Sequence, residues 1–276
     1  MTADLPSRRP GTMPSRVIRV RPSYAQRRVA VTTPTSTNRQ TLRITQRYSL
    51  GSAISPLLAN LFMHYAFDTW MAREFPDVGF ERYCDDAVVH CRSEAHAHLV
   101  REAIAARLAR CGGLQLHPEK TRIVYCKDGT RRGSHEHTSF TFLGYGFRSR
   151  MVKTRTGRYF FGFNPAISDE AAKRIRAQIR SWRLHLRSGS TLKQLAHDIN
   201  TVVRGWINYY GRYYRSKLHT SLNRINDYLV RWIVQKYKRY RRRRRGAWNA
   251  LGKAAQANPR LFAHWQIVKP QPLTTG

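Results

Sequence analysis

The sequence predicts an α+β fold in which an antiparallel sheet with helices is followed by an all-α, strongly basic domain. Three observations predict it. Short apolar runs with strand-like alternation lie between residues 80 and 163, and a helical apolar period continues after Ser168. The chain also carries 50 Lys and Arg against 16 Asp and Glu, a formal charge of +34. Because such self-repulsion disfavours a compact state, we expect a polyanionic partner, and nucleic acid is the first choice.

The chain divides into three parts by composition. Residues 1–48 are rich in Pro, Ser, Thr and Arg, contain one acidic residue, Asp4, and show no sustained helix or strand period. We expect them to form a disordered or out-of-frame basic leader, with a nucleic-acid-binding arm as the alternative. Residues 49–165 carry the mixed helix and strand pattern, and residues 166–276 are predicted to be helical.

The middle part begins with a helix, since Ser55 is a suitable N-cap and Pro56 suits the first helical position. The two apolar runs between residues 80 and 91 predict a β-hairpin. Ser93 is then expected to cap a second helix, which Gly112 and Gly113 terminate. Further strands follow around residues 114–116, 123–125 and 140–145, and a last hairpin turns at Thr156 and Gly157.

Three helices are predicted in the last part. They start near Ser168, Thr191 and Ser216. The apolar residues that recur with a helical period are Ile175, Ile179, Trp182 and Leu186, then Leu195, Ile199, Val202, Trp206 and Tyr210, then Leu218, Leu222, Ile225, Leu229, Trp232 and Ile233. Basic residues occupy the other faces and end in the run 241–245.

The cysteines and the apolar segments bear on the compartment. Cys84, Cys91, Cys111 and Cys126 form no C-x-x-C pair and no zinc-type spacing, so free thiols in a reducing cytosol are expected. No apolar run approaches the length of a membrane span, and no apolar core follows the early arginines as in a secretory signal. These features predict a cytoplasmic protein without a membrane partner, and the many Ala and Arg residues indicate a bacterial source.

Asp85 and Asp86 are the sharpest chemical feature. Two adjacent carboxylates at a hairpin tip can bind Mg²⁺, which takes few protein carboxylates together with substrate phosphates. Two such ions would hold the attacking and leaving oxygens of a nucleotidyl transfer. Taken alone the signal is weak, because an Asp-Asp pair in a hairpin is usually only part of the turn.

The neighbouring blocks give this pair a context. Tyr83-Cys84-Asp85-Asp86 is similar to the palm motif of reverse transcriptases, and the sequence resembles group II intron-encoded reverse transcriptase/maturases along residues 50–265. The other blocks that carry the resemblance are Ile54-Ser55-Pro56-Leu57-Leu58-Ala59-Asn60, Gln115-Leu116-His117-Pro118-Glu119-Lys120-Thr121, Phe142-Leu143-Gly144-Tyr145, Arg204-Gly205-Trp206-Ile207-Asn208-Tyr209-Tyr210 and Asn258-Pro259-Arg260-Leu261-Phe262-Ala263-His264-Trp265. The resemblance implies a partial palm over residues 49–165 and a basic thumb/maturase domain over residues 166–276.

The resemblance also implies roles for single residues. Asp85 and Asp86 correspond to the catalytic carboxylates, which bind Mg²⁺ in the intact family enzyme. The residues that the resemblance implies to contact nucleic acid are Tyr83, Lys120, Gly144 and Tyr145, and we expect the same of Arg122. Aromatic and basic side chains that can combine base stacking with phosphate contacts add Arg204, Tyr209, Arg212, Tyr213, Arg215 and Lys217. The net charge favours an RNA-facing role for Arg241, Arg242 and Arg243, with a solvated face as the alternative. Some have a plain structural alternative: Lys120 could be a solvated surface lysine, and Gly144 could simply permit a tight bend. We expect Trp206 and Tyr210 to belong to the core.

One expected feature of a polymerase palm is missing from the sequence. The family carries a third carboxylate on a strand upstream of the Ser55-Pro56 helix, but Asp4 is the only acidic residue before Asp68. The resemblance therefore begins at about Gly51, as a truncated or frameshifted gene would produce. Since both carboxylate strands are needed to position two ions, we expect weak or absent Mg²⁺ binding and no DNA synthesis by this chain alone.

The function expected from the sequence is that of a group II intron reverse transcriptase/maturase, which binds intron RNA to assist splicing and mobility. Its partners would be group II intron RNA and a DNA target or cDNA. The alternative is a non-enzymatic RNA-binding splicing factor that retains only the helical domain. A generic basic RNA-binding protein is a third possibility, which the ordered blocks disfavour.

Overall fold

The computed structural model describes residues 16–20, 22–23, 55–131, 134–154 and 156–270. The chain divides into two compact units, residues 1–140 and 141–276. The first contains mixed strands and helices, and the second contains a β-hairpin and a group of helices. The predicted α+β fold with a following helical domain is confirmed.

The first unit is built on a four-stranded antiparallel sheet with the order β3-β4-β1-β6. Its strands in chain order are β1 (Arg16–Val20), β2 (Pro22–Ser23), β3 (Phe80–Tyr83), β4 (Asp86–Cys91), β5 (Gln115–Leu116) and β6 (Arg122–Tyr125). The predicted hairpin of residues 80–91 is β3 and β4. The short strands β2 and β5 pair separately.

The position of β1 overturns part of one expectation. Residues 16–20 were expected to lie in a disordered leader, but they form a strand between β4 and β6. Val17, Ile18 and Val20 are almost fully buried there. The run is only five residues long, and its interspersed arginines hide the alternation from sequence inspection. Asp4 and the other leader residues outside 16–20 and 22–23 lie outside the described part.

Helices cover one face of this sheet. They are α1 (Ser55–Met63), a π-helical segment (His64–Asp68), α2 (Thr69–Glu74) and α3 (Glu94–Gly112). As predicted, Ser93 caps α3, because its Oγ accepts a hydrogen bond from the His96 N–H at 3.2 Å. Gly113 ends the helix in the left-handed conformation at φ 62°. Val100, Ile104 and Leu108 of α3 are completely buried against the sheet.

The second unit begins within β7 (Ser139–Phe142) and continues through β8 (Tyr145–Lys153) and β9 (Tyr159–Ile167). The β8–β9 hairpin, which the sequence placed with the palm, therefore belongs to this unit. Its helices are α4 (Asp169–Ser181), α5 (Leu192–Tyr210), α6 (Ser216–Lys236) and α7 (Arg244–Ala257), with short 3₁₀ turns at Leu184–Leu186, Lys238–Tyr240 and Ala263–Gln266. Thr191 and Gln194 form a capping box at the start of α5.

The core of the second unit follows the predicted helical faces with two exceptions. All six apolar residues predicted for α6 are buried, and Trp206 and Tyr210 pack against the core as expected. Val202 is 41% exposed, however, and Val203 is buried in its place. Leu186 is also exposed, because the chain leaves α4 and forms a separate 3₁₀ turn there. At Val202 the predicted period was one residue short. At Leu186 the predicted period was continued past the end of α4.

Two buried asparagines, Asn200 and Asn226, hold residues 261–265 against this core by hydrogen bonds. Asn200 donates to the Leu261 carbonyl at 2.9 Å and accepts from the Ala263 N–H at 2.9 Å. Asn226 Oδ1 accepts from Trp265 Nε1 at 3.0 Å and lies 2.9 Å from His264 Nε2. The terminal block noted in the sequence is thus an integral part of the helical core.

Within the described part of the chain, no helix combines the length and the apolar character needed to cross a bilayer. All four cysteines are free thiols. Burial raises the pKa of Cys91 to about 11, so this thiol is protonated at neutral pH and packs as a small apolar side chain.

Candidate active site and nucleic-acid interface

The Tyr83-Cys84-Asp85-Asp86 segment forms the tip of the β3–β4 hairpin. β3 ends at Tyr83 and β4 begins at Asp86, so Cys84 and Asp85 form a two-residue connection. Cys84 has φ 54°, a left-handed conformation that non-glycine residues adopt at a cost. Tyr83 is 62% exposed, whereas Asp85 and Asp86 are partly buried. The two carboxylates therefore lie at a tight, fixed turn, as predicted.

Arg82 holds this turn against the helices. Its guanidinium makes two bonds to Asp68, at 2.6 and 2.5 Å. Its remaining Nη1 donates to Asn60 Oδ1 at 3.0 Å and to the Cys84 carbonyl at 2.7 Å. A bidentate, charge-assisted contact of this kind fixes orientation as well as position. Arg82 therefore joins the strained residue of the hairpin to α1 and to the π-helical segment.

The strand next to the hairpin presents an arginine to the second carboxylate. Arg19 of β1 donates from Nε to Asp86 Oδ1 at 3.3 Å and from Nη2 to Oδ2 at 3.1 Å. The two side chains are 24% and 17% exposed, so water screens the pair only in part. Arg122 of β6 lies directly opposite Arg19 in the sheet and is on the same face. This face therefore carries two arginines, of which Arg19 contacts the aspartate.

This arrangement does not suit a Mg²⁺ ion. Asp86 already accepts hydrogen bonds with both oxygens from Arg19, and a cation at that position repels a second one. Across the described ranges, no group of three or more His, Cys, Asp or Glu side chains lies close enough to hold a metal. The metal-binding role of Asp85 and Asp86 stays a prediction.

Lys120 and Arg122 lie beyond the hairpin on the same unit. Lys120 is exposed in the turn that follows His117, where its backbone N–H donates to the His117 carbonyl. Arg122 is also exposed, and its Nε donates to the Glu119 carbonyl at 2.7 Å. Among the described residues, neither side chain pairs with an acidic group, so both charges can face a phosphate.

Gly144 and Tyr145 lie at a bend within the second unit. Leu143 and Gly144 have positive φ angles of 49° and 77°, and a Cβ on Gly144 would lie 2.8 Å from Tyr210 Oη. Tyr145 is buried and donates a hydrogen bond to the Tyr209 carbonyl. Burial raises the pKa of Tyr145 to about 12. The geometry gives both residues a structural role, and their contact with nucleic acid stays a prediction.

The end of α5 and the turn that follows it gather aromatic and basic side chains. Tyr209 and Tyr213 are about half exposed, and Tyr209 Oη donates to the Leu143 carbonyl at 2.9 Å. The basic residues predicted to contact RNA here are Arg204, Arg212, Arg215 and Lys217. The three arginines are exposed, whereas Lys217 pairs with Asp169 at 2.7 Å. Exposed rings beside exposed guanidinium groups can combine base stacking with phosphate contacts.

Arg241, Arg242 and Arg243 lie between the 3₁₀ turn at Lys238–Tyr240 and α7, and all three are exposed. Arg241 and Arg242 line a cavity of about 400 Å³ together with residues from the second half of α6. The predicted basic run therefore forms part of a concave surface, with its charges directed to solvent.

Two known families match the sequence. Residues 17–147 match the family described as reverse transcriptase (RNA-dependent DNA polymerase). Residues 172–249 match the group II intron, maturase-specific domain. The two occur together, in this order, on one chain. The chain belongs to the group II intron reverse transcriptase/maturase family. A comparison with curated proteins found no match.

The family assignment confirms the resemblance seen in the sequence and corrects where it begins. The reverse transcriptase match starts at Val17, inside β1, rather than at about Gly51. In this reverse transcriptase/maturase, β1 thus lies within the matched region, next to the hairpin that carries the aspartates.

Two residues of the site, Arg19 and Arg82, were not predicted from the sequence. Arg82 could have been suspected, because it directly precedes the motif and lies two residues after Phe80, on the same partly buried face of β3. Arg19 carried no such signal, since its strand was not identified and its partner lies 67 positions away.

Proposed function

We propose that this reverse transcriptase/maturase binds group II intron RNA to assist splicing and does not synthesise DNA by itself. The observation that carries the first half is the uncompensated charge of the second unit. It contains four acidic residues, Asp169, Glu170, Asp198 and Asp227. Three of them already pair with basic residues of the same unit, Lys217, Arg187 and Arg224. The many remaining cations need an external polyanion.

The match to the maturase-specific domain supports RNA as that polyanion. Exposed tyrosines beside the arginines favour RNA with unstacked bases over a regular duplex, because splayed bases can stack on aromatic rings. DNA target or cDNA binding is a finer proposal, for which the general positive charge gives the only support.

The second half of the proposal rests on Arg19. Two-metal catalysis places carboxylates from neighbouring strands around the ions. In this chain the neighbouring strand offers a guanidinium that neutralises Asp86. We therefore propose that the Mg²⁺ that the family generally uses binds weakly here, and that primer extension is lost for that reason.

RNA binding can be tested with purified full-length chain and a salt series. Titration with a group II intron RNA and with duplex DNA gives the affinity and the slope of log Kobs against log salt. Replacing Arg241, Arg242 and Arg243 with glutamine is expected to reduce that slope by about 2 if each contacts one single-stranded phosphate. The matched control replaces the same three residues with lysine, which keeps the charge and should keep the slope.

Equal binding to intron RNA and duplex DNA, together with no effect on splicing of the intron, would contradict the proposed maturase function. DNA synthesis is tested separately by primer extension on poly(rA)/oligo(dT). No extension above background is expected. Robust extension that Asp85→Ala abolishes would show that the palm is active and that this half of the proposal is wrong.

A further inference from the structure

A small polar-rimmed cavity lies in the second unit, where α5, the start of α6 and the 3₁₀ turn at Ala263–Gln266 meet. Its volume is about 320 Å³, at the low end of the range of about 300–1,000 Å³ for ligand sites. It is lined by Arg204, Ile207, Asn208, Arg215, Ala263, Gln266 and Ile267. This size suits one small ligand group rather than a helix or a duplex.

The rim of the cavity is polar and open to solvent. Arg204 and Asn208 are four residues apart on α5 and so share one helix face. Arg215 comes from the turn before α6, and Gln266 comes from the end of the chain; all four side chains are exposed. Among the described residues, none is shown paired with an acidic group. Two guanidinium groups and two amides are therefore available to an incoming ligand.

The floor of the cavity is apolar and rigidly held. Ile207 and Ile267 are partly buried and pack against the core of the unit. Ala263 is buried, and its backbone N–H donates to Asn200 Oδ1 at 2.9 Å. The floor is therefore preformed, which reduces the entropic cost of binding a flat group against it.

This combination matches the chemistry of one nucleotide. A guanidinium fork binds a phosphate through paired N–H donors. Amide side chains offer a donor and an acceptor to a base edge, and an apolar floor can receive the face of the base. A free carboxylate or a sugar alone would leave either the arginines or the floor unused.

We propose that this cavity, which we call the nucleotide pocket, binds a single unpaired nucleotide of the RNA. The phosphate contacts Arg204 and Arg215, and the base edge contacts Asn208 and Gln266. This inference rests on the proposed RNA binding and sharpens it, since it requires a nucleotide that is free of base pairing. A duplex cannot place a base in the pocket, so the pocket discriminates single strands from duplexes.

The test uses full-length chain with two probes, oligo(rA) and a blunt-ended RNA duplex. Asn208→Leu keeps the size and the net charge but removes the amide. It is expected to weaken oligo(rA) binding about fivefold, as loss of one to two hydrogen bonds would, while duplex binding changes by less than about twofold. The matched control is Asn249→Leu, at an exposed position of α7, and it should affect neither probe.

A second pair of variants, which keep the charge, shows whether the effect could come from a folding defect. Arg204→Lys removes the fork and is expected to weaken oligo(rA) binding about threefold, whereas Arg174→Lys on the exposed face of α4 should have no effect. Thermal unfolding checks that each variant is folded.

If Asn208→Leu and Arg204→Lys bind both probes as their controls do, the proposal that the pocket binds a nucleotide is wrong, while the proposed general RNA binding is unaffected. If both variants weaken the two probes equally, the pocket does not select single strands, and the inference is again wrong. If the unchanged chain binds neither RNA, the proposed function fails together with the pocket.

Discussion

Acid should destabilise the second unit through His264. This imidazole is completely buried, and its Nε2 lies 2.9 Å from Asn226 Oδ1. Its Nδ1 is buried without a hydrogen-bond partner among the described residues, so a second proton would enter an environment that cannot solvate it. Burial accordingly lowers the pKa of His264 from 6.5 to about 3.

The sign follows from proton binding. Below pH 6.5 the unfolded chain takes up a proton at this histidine that the folded chain excludes until about pH 3. The stabilising contribution is therefore fully present above pH 6.5 and decreases as the pH falls, by about 1.4 kcal/mol per pH unit. Between about pH 7 and about pH 4.5 the free energy of unfolding should decrease by about 2–3 kcal/mol from this residue.

Urea unfolding followed by tryptophan fluorescence at both pH values measures this loss. His264→Gln retains a donor at the position of Nε2 but cannot titrate, so it should lose less stability between the two pH values than the unchanged chain does, by about 2–3 kcal/mol. His197→Gln, at an exposed position of α5, is the control and should keep the full pH dependence. Equal losses in the unchanged chain and in His264→Gln would refute the reasoning.

Three other changes give separable outcomes. Gly144→Ala should cost about 2 kcal/mol or more, from the left-handed backbone and the contact with Tyr210 Oη at 2.8 Å; Tyr210→Phe should recover part of this in a urea double-mutant cycle, and an unaffected Gly144→Ala chain would contradict the assignment. Arg82→Leu leaves Asp68 partly buried without its bidentate partner and should lower the free energy of unfolding by about 3 kcal/mol. The same change should have a smaller effect in a chain that already carries Asp68→Asn. If the decreases in Tm of the two single variants simply add in the double variant, a direct interaction between the two side chains is contradicted. Arg19→Ala should bind Mn²⁺ more tightly than the unchanged chain by electron paramagnetic resonance, because it frees Asp86, whereas Arg19→Lys should not; identical Mn²⁺ affinities in all three would show that Arg19 does not block the site.

The fold could be predicted from the sequence wherever a period or a cap was strong. Ser93, Ser168 and Thr191 each cap the helix that their position predicted. The β3–β4 hairpin and the face of α6 were also correct, because strands of alternating residues and long helical periods carry redundant information. Where Val203 is buried instead of Val202, the helix itself was predicted correctly and only one position of its buried face was wrong.

The sheet could not be completed from the sequence, because β1 is defined by its partners. Val17, Ile18 and Val20 form a strand through pairing with β4 and β6, both far along the chain. A five-residue run with two arginines has no local signal that distinguishes it from a polar leader. The ion pair between Arg19 and Asp86 depends on that strand pairing. The sequence therefore could not predict that Asp86 is paired with an arginine.

The Tyr145 environment shows a second limit of sequence reasoning. The resemblance implied that Gly144 and Tyr145 contact nucleic acid, whereas Gly144 was also compatible with a tight bend. The bend is visible in the positive φ of Gly144 and in its approach to Tyr210. Which of the exposed tyrosines contacts RNA depends on long-range packing, and Tyr209 and Tyr213 each keep about half of their surface accessible.

The pairing of Arg19 with Asp86 has a consequence for how the first unit responds to its ionic surroundings. Where several carboxylates gather for metal ions, chelation leaves like charges facing one another and weakens the fold. In this chain Asp86 has its counter-ion attached covalently to the adjacent strand. The thermal stability of the first unit should consequently be the same in EDTA as in millimolar Mg²⁺. The sheet can therefore stay folded at any concentration of divalent ions.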